Sequence, residues 1–139
     1  MIIDATDLIM GRLAAVAAKQ AMLGHKVDIV NCENAVISGS RSDIIAKFHH
    51  KTNVRGTPGH GPFISRMADR FIRRVIRGML PHKKSKGEDA FKRIMCYIGV
   101  PKELESQKIE TIKEANINER GLVKFTRVGE VCKHIGARQ

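Results

Sequence analysis

Cationic side chains crowd the segment from Arg41 to Arg93, where their types and spacing suit the binding of phosphate groups. This segment holds fourteen Lys and Arg but four Asp and Glu, out of 25 and 14 in the whole 139-residue chain. The two ends of the chain are therefore nearly balanced, and the middle carries almost all of the net charge of +11. Charge concentrated in this way favours a polyanion as partner over a dispersed surplus that serves solubility.

Four arginines recur at helical spacing inside this segment. The periodicity predicts a helix over residues 65–79, with Ser65 as its N-cap. At 100° per residue, counted from Arg66, the cationic residues fall within an arc of about 100° and the apolar ones fill the other side. These cationic residues are Arg70, Arg73, Arg74 and Arg77. A helix face that is only solvated would mix Glu with Lys, and the one acid here is Asp69, so the pattern favours an external anion.

The stretch "RRVIRGMLPHKK", residues 73–84, places more cations beside the short apolar sequence Gly-Met-Leu-Pro at residues 78–81, which we call the plug. Gly78 and Pro81 end the helix, and we expect Met79 and Leu80 to anchor its end to the core. Lys83, Lys84 and Lys86 would then project from a fixed base. Upstream, residues 52–62 hold three glycines and two prolines and predict a loop, which carries Arg55 and His60.

Other chemistry finds less support in the sequence. The turn at residues 38–42 could hold a phosphate, or it could simply cap a helix, and the sequence leaves both open. Cys132 and His134 have no second pair at zinc spacing, so no metal site is expected. The three cysteines are expected to be free, buried thiols. No pair of acids or nucleophile with an oriented base stands out, so no catalytic residues are assigned and no cofactor is expected.

Aromatic residues are scarce, with five Phe, one Tyr and no Trp. Proteins that stack successive bases of a single strand need aromatic platforms. The composition therefore favours recognition of the phosphates and shape of a folded RNA over base-by-base reading. The chain also lacks an apolar run of membrane-spanning length, so no membrane partner is expected.

The elements that must position these residues are read from hydrophobic periodicity. A strand, a helix and a strand at the start suggest a right-handed βαβ unit and a parallel sheet within one domain, residues 1–139. The expected strands are 1–5, 27–31, 35–38, one near 107–112 and 122–129, and the expected helices are 11–23, one from Ser40 or Ser42, 65–79, 88–98 and 130–136.

Four stretches together resemble the universal large-subunit ribosomal protein L13 family in its archaeal and eukaryotic form. They are "IDATDLIMGRLAA" at 3–15, "VNCENAVISGSR" at 30–41, "RGTPGHGPF" at 55–63 and "VIRGMLPHKKSKGEDAFKRIMCYIGVP" at 75–101. The last is the most specific, with its Arg-Gly-Met-Leu-Pro centre, its basic residues and its Tyr-x-Gly end. The resemblance covers nearly the whole chain.

The resemblance implies an α/β fold with three layers, α/β/α, a parallel four-stranded sheet and basic helix-loop extensions. It also implies a structural, non-enzymatic protein of the cytoplasmic ribosome that binds large-subunit rRNA, adjoins other large-subunit proteins and supports assembly and translation. Two alternatives remain open: a small α/β enzyme acting on a phosphorylated substrate at the turn 38–42, and a free RNA-binding regulator.

The charge pattern selects the residues that we expect to contact RNA. In the loop they are Arg55 and His60; on the helix, Arg66, Arg70, Arg73, Arg74 and Arg77; after the plug, Lys83, Lys84 and Lys86; and, in second rank, Arg12 and Arg41.

Overall fold

The computed structural model describes residues 1–54, 56–57, 59–61 and 63–137, except for the side chain of Arg120. Its strands are β1 (Ile2–Asp4), β2 (Val27–Val30), β3 (Val36–Ser38), β4 (Ile94–Cys96), β5 (Ile109–Glu110) and β6 (Phe125–Arg127). Its α-helices are α1 (Met10–Met22), α2 (Arg41–His49), α3 (Ala68–Met79), α4 (Ser85–Lys92), α5 (Lys102–Glu105), α6 (Ile117–Arg120) and α7 (Val128–His134).

A four-stranded parallel sheet in the order β4-β2-β1-β5 forms the centre of the fold. Helix α1 makes the crossover between β1 and β2, as the expected βαβ unit requires. In this sheet Ile3 lies opposite Ile29, and Ile29 lies opposite Cys96. These side chains point to one face of the sheet, where they are buried.

The two faces of the sheet carry separate apolar clusters, which gives the three layers. On one face Ile3 and Ile29 pack with buried residues of α1, α3 and α4, including Leu13, Ile72 and Ala90. On the other face Ile2 and Val30 pack with Leu104 of the short helix α5, flanked by Tyr97 and Val100. The expected three-layer α/β/α fold with a parallel four-stranded sheet is confirmed.

Of the helix expected over residues 88–98, the part up to Lys92 is confirmed and the part after it is wrong. Helix α4 ends at Lys92, and the next residues form the edge strand β4. Ile94 and Cys96 are buried while Met95 is exposed, which is the period of a strand. The spacing of the apolar residues fits both a helix and a strand, and pairing with β2 selects the strand.

The stretch 35–38 does form a strand, but that strand lies outside the parallel sheet. β3 pairs antiparallel with β6, with Val36 opposite Arg127. The strand expected over 122–129 shortens to β6, since Val128 already begins α7. Helix α2 starts at Arg41 with Ser40 in the N-cap position, close to the expected start.

Helix α3 begins at Ala68, three residues after the expected N-cap. The prediction of Ser65 as the cap is wrong, because Met67 occupies that position in an extended conformation. Met67 is half-buried and its side chain makes no capping hydrogen bond, so the first turn of α3 begins without a polar cap. Within the described residues, no helix is both long and apolar enough to cross a membrane.

Candidate nucleic-acid interface

Helix α3 presents an arginine face that is set by its burial pattern. Phe71, Ile72 and Ile76 are buried against α1 and the sheet, so the arginines between them lie on the outer side. We call the open groove on that side the arginine groove. It has a volume of about 220 Å³ and is lined by Ser65, Arg70, Arg73, Arg74, Arg77 and Phe91. Four of the predicted residues are therefore brought together in one place.

Arg73 is the most constrained of the four arginines. Its guanidinium carbon lies 4.5 Å from the centre of the Phe91 ring, a cation–π contact. Its Nε atom is buried and donates no hydrogen bond to any residue that the structure describes. The Phe91 ring therefore holds this guanidinium in place at the floor of the groove. Phe91 was not among the predicted contact residues, and the signal that could have found it is an aromatic residue inside the cationic segment.

The other arginines of the groove differ in whether they already make hydrogen bonds within the protein. The Arg74 guanidinium donates a hydrogen bond to the backbone carbonyl of Phe63, which ties the preceding loop to α3. Arg70 and Arg77 are exposed and make no ion pair or side-chain hydrogen bond with any described residue. Groups of this kind can bind an external anion without giving up an internal contact.

The three lysines after α3 project from a tight, well-supported turn. Leu80 is buried at 5% exposure and anchors the turn, as expected. Met79 does not anchor it, because its side chain is 45% exposed, and that part of the prediction is wrong. The backbone nitrogen of Lys84 donates to the Pro81 carbonyl at 2.9 Å, which closes the turn. Lys83, Lys84 and Lys86 are exposed.

We call the turn that carries Lys83, Lys84 and Lys86 the lysine turn. Gly87 fixes the position of this turn relative to α4. A Cβ atom added at Gly87 would lie 2.2 Å from the Pro81 carbonyl oxygen, which is too close for any other residue. The first turn of α4 thus packs directly on the backbone that carries the lysines.

The loop before α3 contains a turn at residues 59–60. The backbone nitrogens of His60 and Gly61 both donate to the Thr57 carbonyl, at 3.1 and 3.2 Å. His60 is exposed at this turn. Arg55, which was also expected to contact RNA, lies outside the described residues.

Three predicted residues lie apart from the arginine groove. Arg41 pairs with Glu130 through its Nε at 2.5 Å and approaches the His134 ring at 3.3 Å. Arg12 donates to the Glu114 carbonyl at 3.4 Å. Arg66 precedes α3 instead of lying on it, and its guanidinium lies 3.2 Å from where a Cβ of Gly136 would be. Arg41, being paired, is the least available of these to an external anion.

The turn at residues 38–42 lacks the features of a nucleotide site. The Ser40 and Ser42 hydroxyls bond each other at 2.8 Å, and neither caps the backbone of α2. Arg41, the cation of this turn, is turned towards Glu130. The turn therefore has no group poised to act on a phosphorylated substrate.

The cysteines are free and buried, as expected. A hydrogen bond with the Cys96 thiol, together with burial, raises the pKa of Cys32 far above its ordinary range. Burial also raises the pKa of Cys132 to about 11, with a smaller contribution from the charge of Asp69. Protonated, enclosed thiols of this kind are poor nucleophiles and poor metal ligands.

Asp4 stabilises a turn at the end of β1. Burial works to raise its pKa, but hydrogen bonds from Thr6 and Asn31 outweigh burial and lower the pKa below its usual value. The Thr6 hydroxyl donates at 2.7 Å and the Asn31 amide at 3.0 Å. A carboxylate stabilised in this way is a poor general base, and its role is to join the ends of β1 and β2.

Fold and surface together define a class: a layered α/β protein whose cations are gathered on one helix and the turn after it, as in proteins that bind nucleic acid. The family described as Ribosomal protein L13 matches residues 1–103. The chain is also 42% identical over 138 residues to the large ribosomal subunit protein uL13 of Methanosarcina barkeri, covering 99% of this chain and 98% of that one.

Two further archaeal relatives agree. The uL13 of Methanocaldococcus jannaschii is 39% identical, over 99% of this chain and 98% of its own length. That of Archaeoglobus fulgidus is 36% identical, over 99% and 88%. The chain belongs to the ribosomal protein L13 family, which is a structural, non-enzymatic component of the large ribosomal subunit. The enzyme alternative is therefore excluded.

Proposed function

We propose that this chain is a structural constituent of the large ribosomal subunit and binds folded large-subunit rRNA through its arginine groove and lysine turn. The observation that carries this proposal is the groove itself, where four guanidinium groups converge on one face of α3. Helix α3, which carries these four groups, has Asp69 as its one acid. By this binding the protein supports subunit assembly and translation.

We rank the proposed contact residues by how exposed and unpaired their side chains are. Arg70 and Arg77 come first because they are exposed and unpaired within the described chain. The remaining proposed contacts are Arg73, Arg74, Lys83, Lys84, Lys86, Arg55, His60 and Arg66, followed by Arg12 and Arg41.

Binding through these groups has two physical sources. Each neutralised phosphate releases condensed counterions, which lowers log affinity by about 0.7–0.9 per contact for each tenfold rise in salt. The planar arginine fork can also bind two phosphate oxygens at once, which fixes the orientation of the RNA backbone. A rigid α3 that holds four such forks selects RNA folds whose phosphates have the matching arrangement.

The family places this chain in the cytoplasmic ribosome, with rRNA and other ribosomal proteins as its partners. We further propose that residues 1–139 form one domain with the basic segment 41–93 as its RNA-facing part. In support, the main apolar cluster draws residues from Ile3 to Cys132.

Co-sedimentation tests the proposal. The protein should travel with large subunits in a gradient at low salt and leave them at high salt, because its contacts are electrostatic. Large subunits assembled without the protein should bind it when it is added back. A protein that stays in the soluble fraction at low salt would contradict the proposal.

A further inference from the structure

Phe63 is an exposed aromatic residue just before α3, and phosphate binding does not account for its exposure. Its side chain is 67% exposed, the highest value for an aromatic residue in the described part of the chain. Phe125 follows at 39%. Removing a phenyl ring from water is favourable, so a partner that covers the Phe63 ring would bind more tightly for doing so.

Phe63 is joined to α3 through its backbone, and its ring packs on Gly61. The Phe63 carbonyl accepts a hydrogen bond from the Arg74 guanidinium, which joins the residue to α3. Beneath the ring lies Gly61, with a positive φ of 83°. A Cβ atom on Gly61 would come within 3.1 and 3.2 Å of two ring carbons, so one side of the ring rests on bare backbone.

Arg74 is the cation placed against this residue. Arg74, which holds its carbonyl, also lines the arginine groove. His60 and Arg66 lie three residues before and after it, and both are exposed. A ligand that covers the ring would thus combine a flat apolar face with negative charge. An unpaired nucleotide has both, whereas a paired base hides its faces in the stack.

We propose that Phe63 is the stacking platform for one unpaired nucleobase of the bound RNA, with the phosphates beside that base held by the arginine groove. The inference rests on the proposed function and adds a base contact to it. A single platform is consistent with the scarcity of aromatic residues, because it takes one base and cannot follow a run of them.

The first experiment measures binding of the full chain to large-subunit rRNA by filter binding. Phe63→Leu keeps an apolar side chain but removes the ring, and we expect affinity to fall about fivefold or more. The slope of log affinity against log salt should stay unchanged, because no charge is removed. Phe125→Leu is the matched control, since it removes an exposed ring outside the basic segment, and it should bind as the unaltered protein does.

The second experiment uses the absence of tryptophan from the sequence. Phe63→Trp introduces one tryptophan, which can be excited at wavelengths where Tyr97 does not absorb, and should retain affinity because indole stacks on bases as well as phenyl does. Its emission should be quenched by the rRNA but not by a fully paired RNA duplex of similar length. Unchanged binding by Phe63→Leu, or unchanged emission with the rRNA, would overturn the stacking proposal alone. Failure of the unaltered protein to bind the rRNA would overturn the proposed function and this inference with it.

Discussion

Replacing Arg70 and Arg77 together by glutamine should weaken rRNA binding without disturbing the fold. Both side chains are exposed and make no hydrogen bond or ion pair with described residues, so their removal leaves no partner unsatisfied. Glutamine also has nearly the helix propensity of arginine. The free energy of unfolding should therefore stay within about 0.5 kcal/mol of the unaltered value.

The size of the binding effect follows from the number of phosphates that the two arginines neutralise. If each arginine binds one phosphate, their replacement should make the slope of log affinity against log salt shallower by about 1.4–1.8. Between 50 and 200 mM salt, the disadvantage of the double variant should then shrink about ninefold, because electrostatic binding weakens as salt rises. Filter binding of large-subunit rRNA at four or five salt concentrations measures both the slope and this ratio.

The control for this experiment is a second pair of exposed cations. Lys102 and Lys108 lie outside the basic segment, and their joint replacement by glutamine removes the same charge. We expect the slope for that variant to match the unaltered protein. If the Arg70 and Arg77 variant keeps the full slope, these two arginines do not neutralise phosphates and the arginine groove is not the binding site. If the slope becomes equally shallow in both variants, net charge and not the arginine groove determines binding.

Other predictions concern stability and reactivity. Gly87→Ala should destabilise the protein by about 1–3 kcal/mol and displace the lysine turn, because its Cβ would meet the Pro81 oxygen at 2.2 Å. Gly78→Ala should stabilise it by about 0.5–1 kcal/mol, because a Cβ atom at this helical site would meet no atom of the described residues within 4 Å. Thermal unfolding of both variants measures the contrast. Cys132, with its pKa raised from 9.0 to about 11, should resist a thiol reagent at pH 8 until the protein unfolds. Since the folded state holds this proton more tightly, stability should be full below pH 9 and fall between pH 9 and 11.

The sequence predicted the βαβ start, the arginine face and the lysine turn because each depends on local periodicity or on Gly and Pro. It failed at β4, where residues 94–96 fit a helical and an extended pattern alike. That choice depends on the neighbouring strand β2, which lies far away in sequence. The start of α3 was also missed, because a serine is a cap only where the backbone brings it to the helix end.

The sequence could group the cations of the candidate site but could not rank them. Arg41 and Arg70 carry the same charge, yet Arg41 pairs with Glu130, which is 89 residues away. The contact of Arg73 with Phe91 likewise joins two different helices. Long-range contacts of this kind decide which guanidinium is free, and no local pattern records them.

A structure of the intact large subunit from the same organism tests the central claim most directly. The distance to measure runs from the guanidinium nitrogens of Arg70 and Arg77 to the nearest phosphate oxygens. The account predicts contacts of about 2.7–2.9 Å, the range of charge-assisted hydrogen bonds. An arginine groove that faces bulk solvent or another protein, with no rRNA within reach, would contradict it.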